Sequence, residues 1–273
     1  MDLTFALRTR GHRGANVKST PLVGDVTEDA FLGGKLRLRQ PKSGHRAGHD
    51  AMLLAAATPA CPGDRVADFG AGVGAAGLAV AIRVPGIKPV LVEIDAGLAE
   101  LARANASANA IAAETLVLDV TSGAENFASA GLAPDSVDVV LMNPPFNDAS
   151  RHRASPDSAR AIAHVAVAET LDGWIHAARR ILKSSGNLVM IWRADGIAEV
   201  LAALDRGFGS LMILPVHADM SSPAIRVLVR ATKGGRAPTC LLAGLVLNDE
   251  ANRPTPTVQT ILAGERPLPL AIP

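Results

Sequence analysis

Glycines and carboxylates that could hold a nucleoside are concentrated around one short motif. Asp68-Phe-Gly-Ala-Gly-Val-Gly74 lies between a β-prone stretch and a helical one. Glycines at such a junction let the backbone approach a ligand closely, and the start of the helix offers unpaired N–H donors. Glu93 and Asp119 each end a later apolar stretch, where carboxylates can accept bonds from ribose hydroxyls and an adenine amine. The predicted cofactor-binding residues of this region are Asp68, Gly70, Gly72, Gly74, Glu93 and Asp119.

Two classes of cofactor fit such a glycine motif. Residues 72–77 match the pattern GxGxxG, and Glu93 falls about where a nicotinamide enzyme keeps its ribose-binding acid. Asp68, however, would repel a pyrophosphate and attract a sulfonium cofactor that carries an α-amino group. The charge therefore favours S-adenosylmethionine over a dinucleotide. The structural alternative is that the glycines serve only a tight turn.

A second motif, Asn143-Pro144-Pro145-Phe146, follows the fourth β-prone stretch. The Asn143 side-chain oxygen and the Pro144 carbonyl could accept both hydrogens of an NH2 group conjugated to a ring or carbonyl. Phe146 offers a flat face for stacking a base. Two such acceptors would aim the nitrogen lone pair at a methyl donor, with a rate gain from alignment and electrostatics. The motif predicts amine methylation, with Asn143 also beside the cofactor.

These motifs lie in an alternation of strands and helices. Five β-prone stretches, 65–70, 88–95, 115–119, 137–142 and 186–192, are separated by helical ones. Such apolar strands indicate a parallel sheet covered on both faces. Strands at 210–216 and 224–231 are joined by a turn too short for a crossover helix, which predicts an antiparallel edge hairpin. The predicted fold is α/β and Rossmann-like, with a mostly parallel seven-stranded sheet.

The N-terminal region has a different pattern. Residues 31–39 alternate apolar and basic side chains around a Gly-Gly pair, which predicts a half-buried hairpin with a cationic face. Asp50 is expected to cap a helix over 51–58. The predicted organisation is a basic N-terminal extension, 1–46, followed by a catalytic domain, 47–273.

The net charge of +1 is unevenly distributed. Residues 1–46 contain nine Lys or Arg and four Asp or Glu, whereas residues 47–145 contain four and eleven. A basic arm beside an acidic half predicts an anionic macromolecular substrate, although a solvated basic tail would have the same composition. The candidate RNA-contacting residues are Lys35, Arg37, Arg39, Lys42, Arg46, Arg151 and Arg153.

Composition excludes several classes. Of the 273 residues, 48% are hydrophobic and 19% charged, as in globular proteins. The longest apolar stretch, 51–61, is too short for a bilayer span, and the N-terminus lacks a secretory apolar core. Two cysteines without CxxC spacing predict a reducing, cytoplasmic location. His45 and His49 have no acid or cysteine to complete a metal site, so no metal is expected.

With these residues in view, the chain resembles the class I, Rossmann-like methyltransferases over roughly residues 44–233. More narrowly, residues 31–41 and the stretch Gly48-His-Asp50-Ala-Met-Leu-Leu54 resemble a bacterial family that methylates the exocyclic amine of adenine beside the anticodon of a valine tRNA. The resemblance implies S-adenosylmethionine as cofactor, tRNA as substrate, and contact of Gly48 and Asp50 with the methionine part of the cofactor. Phe69, Ala71 and His49 replace the more usual Leu, Cys and Thr.

Other methyltransferases share parts of this pattern. Release-factor glutamine methyltransferases carry Asn-Pro-Pro but generally have a helical N-terminal domain, and ribosomal guanine-amine enzymes usually have longer chains. DNA adenine enzymes need a target-recognition region, and a small-molecule O-methyltransferase would not need the Asn-Pro-Pro pair. A non-catalytic nucleic-acid-binding module would not bind S-adenosylmethionine. The sequence therefore predicts an RNA adenine-amine methyltransferase acting on tRNA, and it assigns neither the target nucleotide nor an oligomeric state.

Overall fold

The computed structural model describes residues 26–42, 46–145 and 170–272. An antiparallel hairpin comes first, formed by β1 (Val26–Phe31) and β2 (Leu36–Pro41). A 3-10 turn, Leu32–Gly34, joins the two strands. Leu36 and Leu38 on the inner face of β2 are fully buried, while Arg37 and Arg39, which alternate with them, are exposed. The domain boundary expected at residue 46 stays a prediction.

The main sheet contains seven longer strands. They are β3 (Arg65–Phe69), β4 (Lys88–Glu93), β5 (Glu114–Val117), β6 (Val137–Met142), β7 (Leu182–Arg193), β8 (Phe208–His217) and β9 (Ala224–Lys233). Strands β3 to β7 are parallel, and β9 lies antiparallel between β7 and β8. The predicted fold class is therefore confirmed.

The strand count differs from the prediction. Two additional strands, β10 (Cys240–Leu241) and β11 (Leu245–Val246), pair parallel to β8. They give nine strands in the described part of the sheet, in the order β10-β8-β9-β7-β6-β3-β4-β5 with β11 also on β8. The stretch 241–247 predicts at most one short strand beyond the seven, and strands of two residues leave no periodic pattern that would separate them. The β8–β9 hairpin consequently has β10 and β11 along its outer side.

Helices cover both faces of the sheet. Their bounds are α1 (His49–Ala57), α2 (Ala75–Arg83), α3 (Ala96–Ala108), α4 (Ala124–Ser129), α5 (170–181), α6 (Ile197–Leu204) and α7 (Pro256–Leu262). Alternate strand residues enter two separate hydrophobic clusters, as Val139 and Val140 of β6 do. One cluster includes α1, α2, α3, α7 and the hairpin, and the other α4, α5 and α6. Burial on both faces explains the continuous apolar strands.

The start of α1 corrects one expectation. The helix begins at His49 with Gly48 as its N-cap, and no side chain caps it. Asp50 was expected to be the cap, but it lies inside the first turn, and its carboxylate accepts a bond from Arg226 of β9. Among the described residues, no helix is long and apolar enough to cross a membrane.

Candidate active site

The strand order places two predicted motifs next to each other. From β3 the chain proceeds outward to β4 and β5 and then returns to β6 on the other side of β3. Ligands of open α/β sheets bind at such a reversal, outside the carboxyl ends of the strands. Phe69 of β3 pairs with Met142 of β6, so Gly70 and Asn143 leave neighbouring strands at the same level. The glycine motif and Asn143 therefore flank one crevice.

The glycine loop has a left-handed backbone that needs glycine. The φ angles of Gly70, Gly72 and Gly74 are 67°, 57° and 88°. A Cβ at Gly70 would lie 2.5 Å from the ring of Trp174, whereas one at Gly72 would have no described atom within 4 Å. Gly70 is thus required by packing, and Gly72 faces open space where a ligand can approach the backbone.

Glu93 lies directly beside this open position. Its carboxylate accepts bonds from the backbone N–H groups of Gly72 at 2.7 Å and Asp95 at 3.0 Å. The residue is 6% exposed and ends β4. Because a carboxylate oxygen can accept more than one bond, Glu93 can hold the loop and still accept ribose hydroxyls.

Asp68 is placed under the loop and not in the open crevice. It is 3% exposed, and its Oδ2 accepts a bond from the Gly77 backbone N–H at 2.8 Å. Burial raises the pKa of Asp68 to about 7; the Gly77 bond lowers it, and the charge of Glu93 raises it. Asp68 is therefore only partly ionised at neutral pH, and part of its contribution is to hold α2 against β3.

The far side of the crevice combines Asp119 with an apolar residue that the sequence analysis missed. Strand β5 ends at Val117, two residues before Asp119, which is exposed and accepts bonds from the Thr121 N–H and hydroxyl. The Leu118 N–H donates to the Glu93 carbonyl, which brings Asp119 next to Ile94. Ile94 is 52% exposed. The sequence signal that could have identified Ile94 is a large apolar residue directly after Glu93, the acid at the end of β4.

Asn143 carries an unsatisfied polar atom at the centre of the site. Its side-chain oxygen is buried and has no hydrogen-bond partner within the described part of the chain. Leaving such an acceptor unpaired costs about 1–3 kcal/mol. Pro144 is buried and Pro145 exposed, whereas Phe146 lies outside the described residues. An amide oxygen kept dry and unpaired is suited to a donor that arrives with a ligand.

The start of α1 reaches the same edge of the sheet. Asp50 accepts a bond from the Arg226 Nε at 3.0 Å, and Arg226 pairs with Arg193 at the carboxyl end of β7. Gly48 precedes the helix in an extended conformation, and His49 is exposed. Gly48 and Asp50 are thus at the ligand-binding edge, as the sequence resemblance implies for residues that touch the cofactor.

The predicted basic face is partly neutralised within the hairpin. Arg37 pairs with Glu28 at 3.1 Å, and Arg46 pairs with Asp29 at 2.5 Å. The Lys35 ammonium donates to the Ala263 carbonyl at 3.3 Å. The side chains of Arg39 and Lys42 are exposed, and Arg151, Arg153 and His45 lie outside the described residues. Glu28 and Asp29 of β1 neutralise two of the predicted RNA-contacting residues, and a count of charges over 1–46 does not show which side chains pair.

No metal centre is evident in the parts of the chain that the structure covers, 26–42, 46–145 and 170–272. Within them, no group of three or more His, Cys, Asp or Glu side chains is arranged to hold a metal ion.

The sheet order, the glycine loop after the first parallel strand and the carboxylate after the second define a class I methyltransferase, a class whose methyl donor is S-adenosylmethionine. Residues 45–217 match the methyltransferase small domain family, and the chain belongs to that family. The fold, family resemblance and cofactor expected from the sequence are confirmed.

Three known proteins show what the chain is similar to. The tRNA1(Val) (adenine(37)-N6)-methyltransferase of Dickeya chrysanthemi is 28% identical over 79% of this chain and 85% of its own length. A release factor glutamine methyltransferase of Chlorobaculum tepidum is 25% identical over 59% of this chain and 56% of its own length. The crystal structure of a protein described as a predicted O-methyltransferase from Agrobacterium tumefaciens is 34% identical, with a TM-score of 0.67, over 80% of this chain and 98% of that one.

Proposed function

We propose that this chain is an S-adenosylmethionine-dependent N-methyltransferase that acts on the exocyclic amine of adenine in RNA, a tRNA near its anticodon. Methyltransferase activity follows from the family; the substrate is the proposal. The observation that carries it is the buried side-chain oxygen of Asn143, which has no hydrogen-bond partner among the described residues and lies one strand away from the glycine loop. The tRNA1(Val) adenine methyltransferase of Dickeya, which aligns with most of the chain, supports the RNA class.

The described residues fit the cofactor. Gly72 leaves an open approach to the backbone, Glu93 supplies carboxylate oxygens beside it, and Asp119 and Ile94 offer an acceptor and an apolar surface next to Glu93. We assign the ribose to Glu93, the nucleobase to Ile94 and Asp119, and the methionine part to Gly48 and Asp50, with Asn143 beside it. When bound, the cofactor supplies an electrophilic methyl group on a sulfonium.

Asn143 and Pro144 orient the substrate amine. An NH2 group has two hydrogens, and the Asn143 side-chain oxygen and the Pro144 carbonyl are two acceptors on consecutive residues. Binding both hydrogens holds the nitrogen lone pair toward the glycine loop, so alignment and not proton removal is the contribution of these residues. A hydroxyl has one hydrogen and would leave one of these acceptors unpaired, which favours an amine over an oxygen nucleophile.

Base recognition is assigned to residues on either side of this pair. Phe146, whose flat aromatic face suits a base, would stack on the adenine. Pro145 supplies no N–H and stiffens the backbone before it. The RNA backbone is assigned to Lys35, Arg37, Arg39, Lys42 and Arg46, with Arg151 and Arg153 after the motif. A base in a loop reaches such a pocket at a lower unstacking cost than one in a duplex.

Glutamine in a protein is the second candidate substrate. A side-chain amide also presents a conjugated NH2 group, and a release factor glutamine methyltransferase is among the relatives. The acceptors at Asn143 and Pro144 would bind either amine. The basic residues on β2 favour RNA, which is a polyanion, over a glutamine side chain of a protein.

One experiment separates these substrates. The protein is incubated with methyl-labelled S-adenosylmethionine and, separately, total tRNA, total rRNA or a release factor, and the labelled tRNA is digested to nucleosides. The expected result is label in tRNA that co-migrates with N6-methyladenosine, with none for Asn143→Ala. Label confined to rRNA or to the release factor would overturn the tRNA assignment.

A further inference from the structure

Two asparagines, Asn105 of α3 and Asn109 directly after this helix, bind the backbone of β2 in the manner of a neighbouring strand. The Asn105 side chain accepts from the Arg39 N–H at 2.8 Å and donates to the Arg39 carbonyl at 3.0 Å. The Asn109 side chain accepts from the Arg37 N–H at 2.9 Å and donates to the Arg37 carbonyl at 2.7 Å. Four residues of helix rise about 6 Å and two residues of strand about 6.6 Å, so the two spacings match.

Asn105 has one contact that Asn109 lacks. The Asn105 side chain also donates to the carbonyl of Val73 at 3.0 Å, and Val73 lies between Gly72 and Gly74 in the glycine loop. The corresponding second bond of Asn109 returns to the Asn105 carbonyl within the same helix. Asn105 is 1% exposed. A single buried amide therefore joins the inner strand of the hairpin, β2, to the loop beside the open crevice.

The hydrophobic contacts of β2 do not replace this link. Leu36 and Leu38 are fully buried under β2. Apolar burial is non-directional and sets which face of β2 is buried, whereas the Asn105 hydrogen bonds tie one residue of β2 to one residue of the loop. Asn105 thus fixes where Arg39 lies relative to Val73, and the exposed Arg39 side chain faces outward from the same residue.

We propose that Asn105 is a positioning residue that couples the glycine loop to strand β2, so that donor binding at the loop and RNA binding at β2 strengthen each other. The assignment of donor to loop and RNA to β2 rests on the proposed function. Removing the amide leaves the Val73 carbonyl and both backbone groups of Arg39 without their partner. Because coupling between two sites is reciprocal, either ligand reports on it.

Amide hydrogen exchange tests the coupling without RNA. The probe is S-adenosylhomocysteine, the product of the donor, at ten times its dissociation constant, and the readout is exchange of the Arg39 N–H. If β2 opens only when the loop releases it, the ligand slows this exchange by about tenfold in the wild type. In Asn105→Asp, which keeps the oxygen that accepts the Arg39 N–H and loses the two donated bonds, the slowing should fall below about twofold. Asn109→Asp, the matched control, should keep it.

Several outcomes would overturn the proposal. These are an unchanged Arg39 exchange rate in the ligand-bound wild type, which needs no variant to fold, slowing in Asn105→Asp equal to that in the wild type, or equal loss of slowing in Asn105→Asp and Asn109→Asp. Asn105→Ala is not suited to this readout, because it removes the acceptor of the Arg39 N–H itself.

Steady-state kinetics supply a second readout. Asn109→Ala should raise the KM for RNA and leave the donor dissociation constant within about twofold. Asn105→Ala should raise both by about tenfold. Equal donor affinity in the two variants contradicts the coupling. The exchange measurement contains no RNA. If the ligand protects Arg39 but the protein methylates no RNA, the proposed function is refuted and the link between the loop and β2 still holds.

Discussion

The indole ring of Trp174 lies directly over the Cα of Gly70. A Cβ at position 70 would come within 2.5 Å of the ring, and Trp174 also packs edge-to-face on Phe69, with ring centroids 6.5 Å apart. Helix α5, which carries Trp174, thereby packs against the first glycine of the cofactor loop. The first glycine of the loop is therefore fixed by packing against α5 as well as by the pairing of β3 with β6.

This relationship predicts different effects at two glycines of one loop. Gly70→Ala should lower the free energy of unfolding by about 2–5 kcal/mol, because the overlap of the new methyl group with the Trp174 ring adds about 1–3 kcal/mol to the cost of the left-handed backbone. Gly72→Ala meets no described atom and should cost only about 1–2 kcal/mol for its left-handed backbone. It should instead weaken S-adenosylmethionine binding, since its methyl group enters the open crevice. Urea unfolding and calorimetry measure the two effects; reduced affinity without reduced stability in Gly70→Ala would contradict the assignment.

The buried carboxyl of Asp68 predicts a pH dependence of stability. Its pKa is about 7 in the folded protein and 3.8 in a solvated chain, so folding takes up a proton between these values. Stability should therefore fall as the pH rises from about 4 to 7, by about 1.4 kcal/mol for each unit of pKa shift. Asp68→Asn, whose oxygen can still accept from Gly77, should flatten this fall.

Urea unfolding at pH 5 and pH 7.5 measures the effect of Asp68→Asn. Asp219→Asn is the control, because bonds from Ser222 and Ser221 lower the pKa of Asp219 to about 2, and this group does not titrate in the window. Parallel pH profiles for wild type and Asp68→Asn would refute the role of Asp68.

The alternation of elements was readable from the sequence, whereas the contacts between them were not. Apolar runs such as 137–142 identify strands because both faces of the sheet are buried, and the acids at their ends mark the ligand-binding edge. The pairing of Asp50 with Arg226 joins positions 176 apart in the chain. Asn105 reads as an ordinary polar residue of a helix until β2 is placed beside it. Such contacts depend on strand order, which no local pattern encodes.

Asn143→Ala should abolish methyl transfer while leaving donor affinity nearly unchanged. The proposed role of its side-chain oxygen is to hold the substrate amine, so a loss of about 100- to 1,000-fold in kcat is expected, as for other preorganised groups at a reacting atom. Asn143→Asp retains an acceptor but adds a charge, and it should recover little activity. Single-turnover transfer and calorimetry with S-adenosylmethionine are the measurements. Retained turnover in Asn143→Ala would remove Asn143 from the mechanism.

Glu93→Ala should weaken S-adenosylmethionine binding by about 10- to 100-fold, since hydrogen bonds to charged groups contribute about 1.5–3 kcal/mol. Glu93→Gln can still accept the Gly72 N–H and should bind with an intermediate affinity. Both variants should be compared by calorimetry at one pH, because the charge of Glu93 also raises the pKa of Asp68. Wild-type affinity in Glu93→Ala would contradict the ribose assignment.

The basic residues of β2 predict a salt-dependent contact with RNA. Replacing Lys35, Arg37 and Arg39 together by alanine should raise the KM for tRNA, and it should reduce the slope of log affinity against log salt by about 0.7 per lost phosphate contact on a single strand. The matched control replaces three exposed cations at the end of the sheet opposite the carboxyl ends of the parallel strands, namely Lys88, Arg206 and Arg236. Both triple variants remove the same charge, so an equal change of slope would mean that only net charge matters. The pairing of Arg37 with Glu28 adds a further expectation: Glu28→Gln should strengthen RNA binding, because it frees the guanidinium without changing the strand.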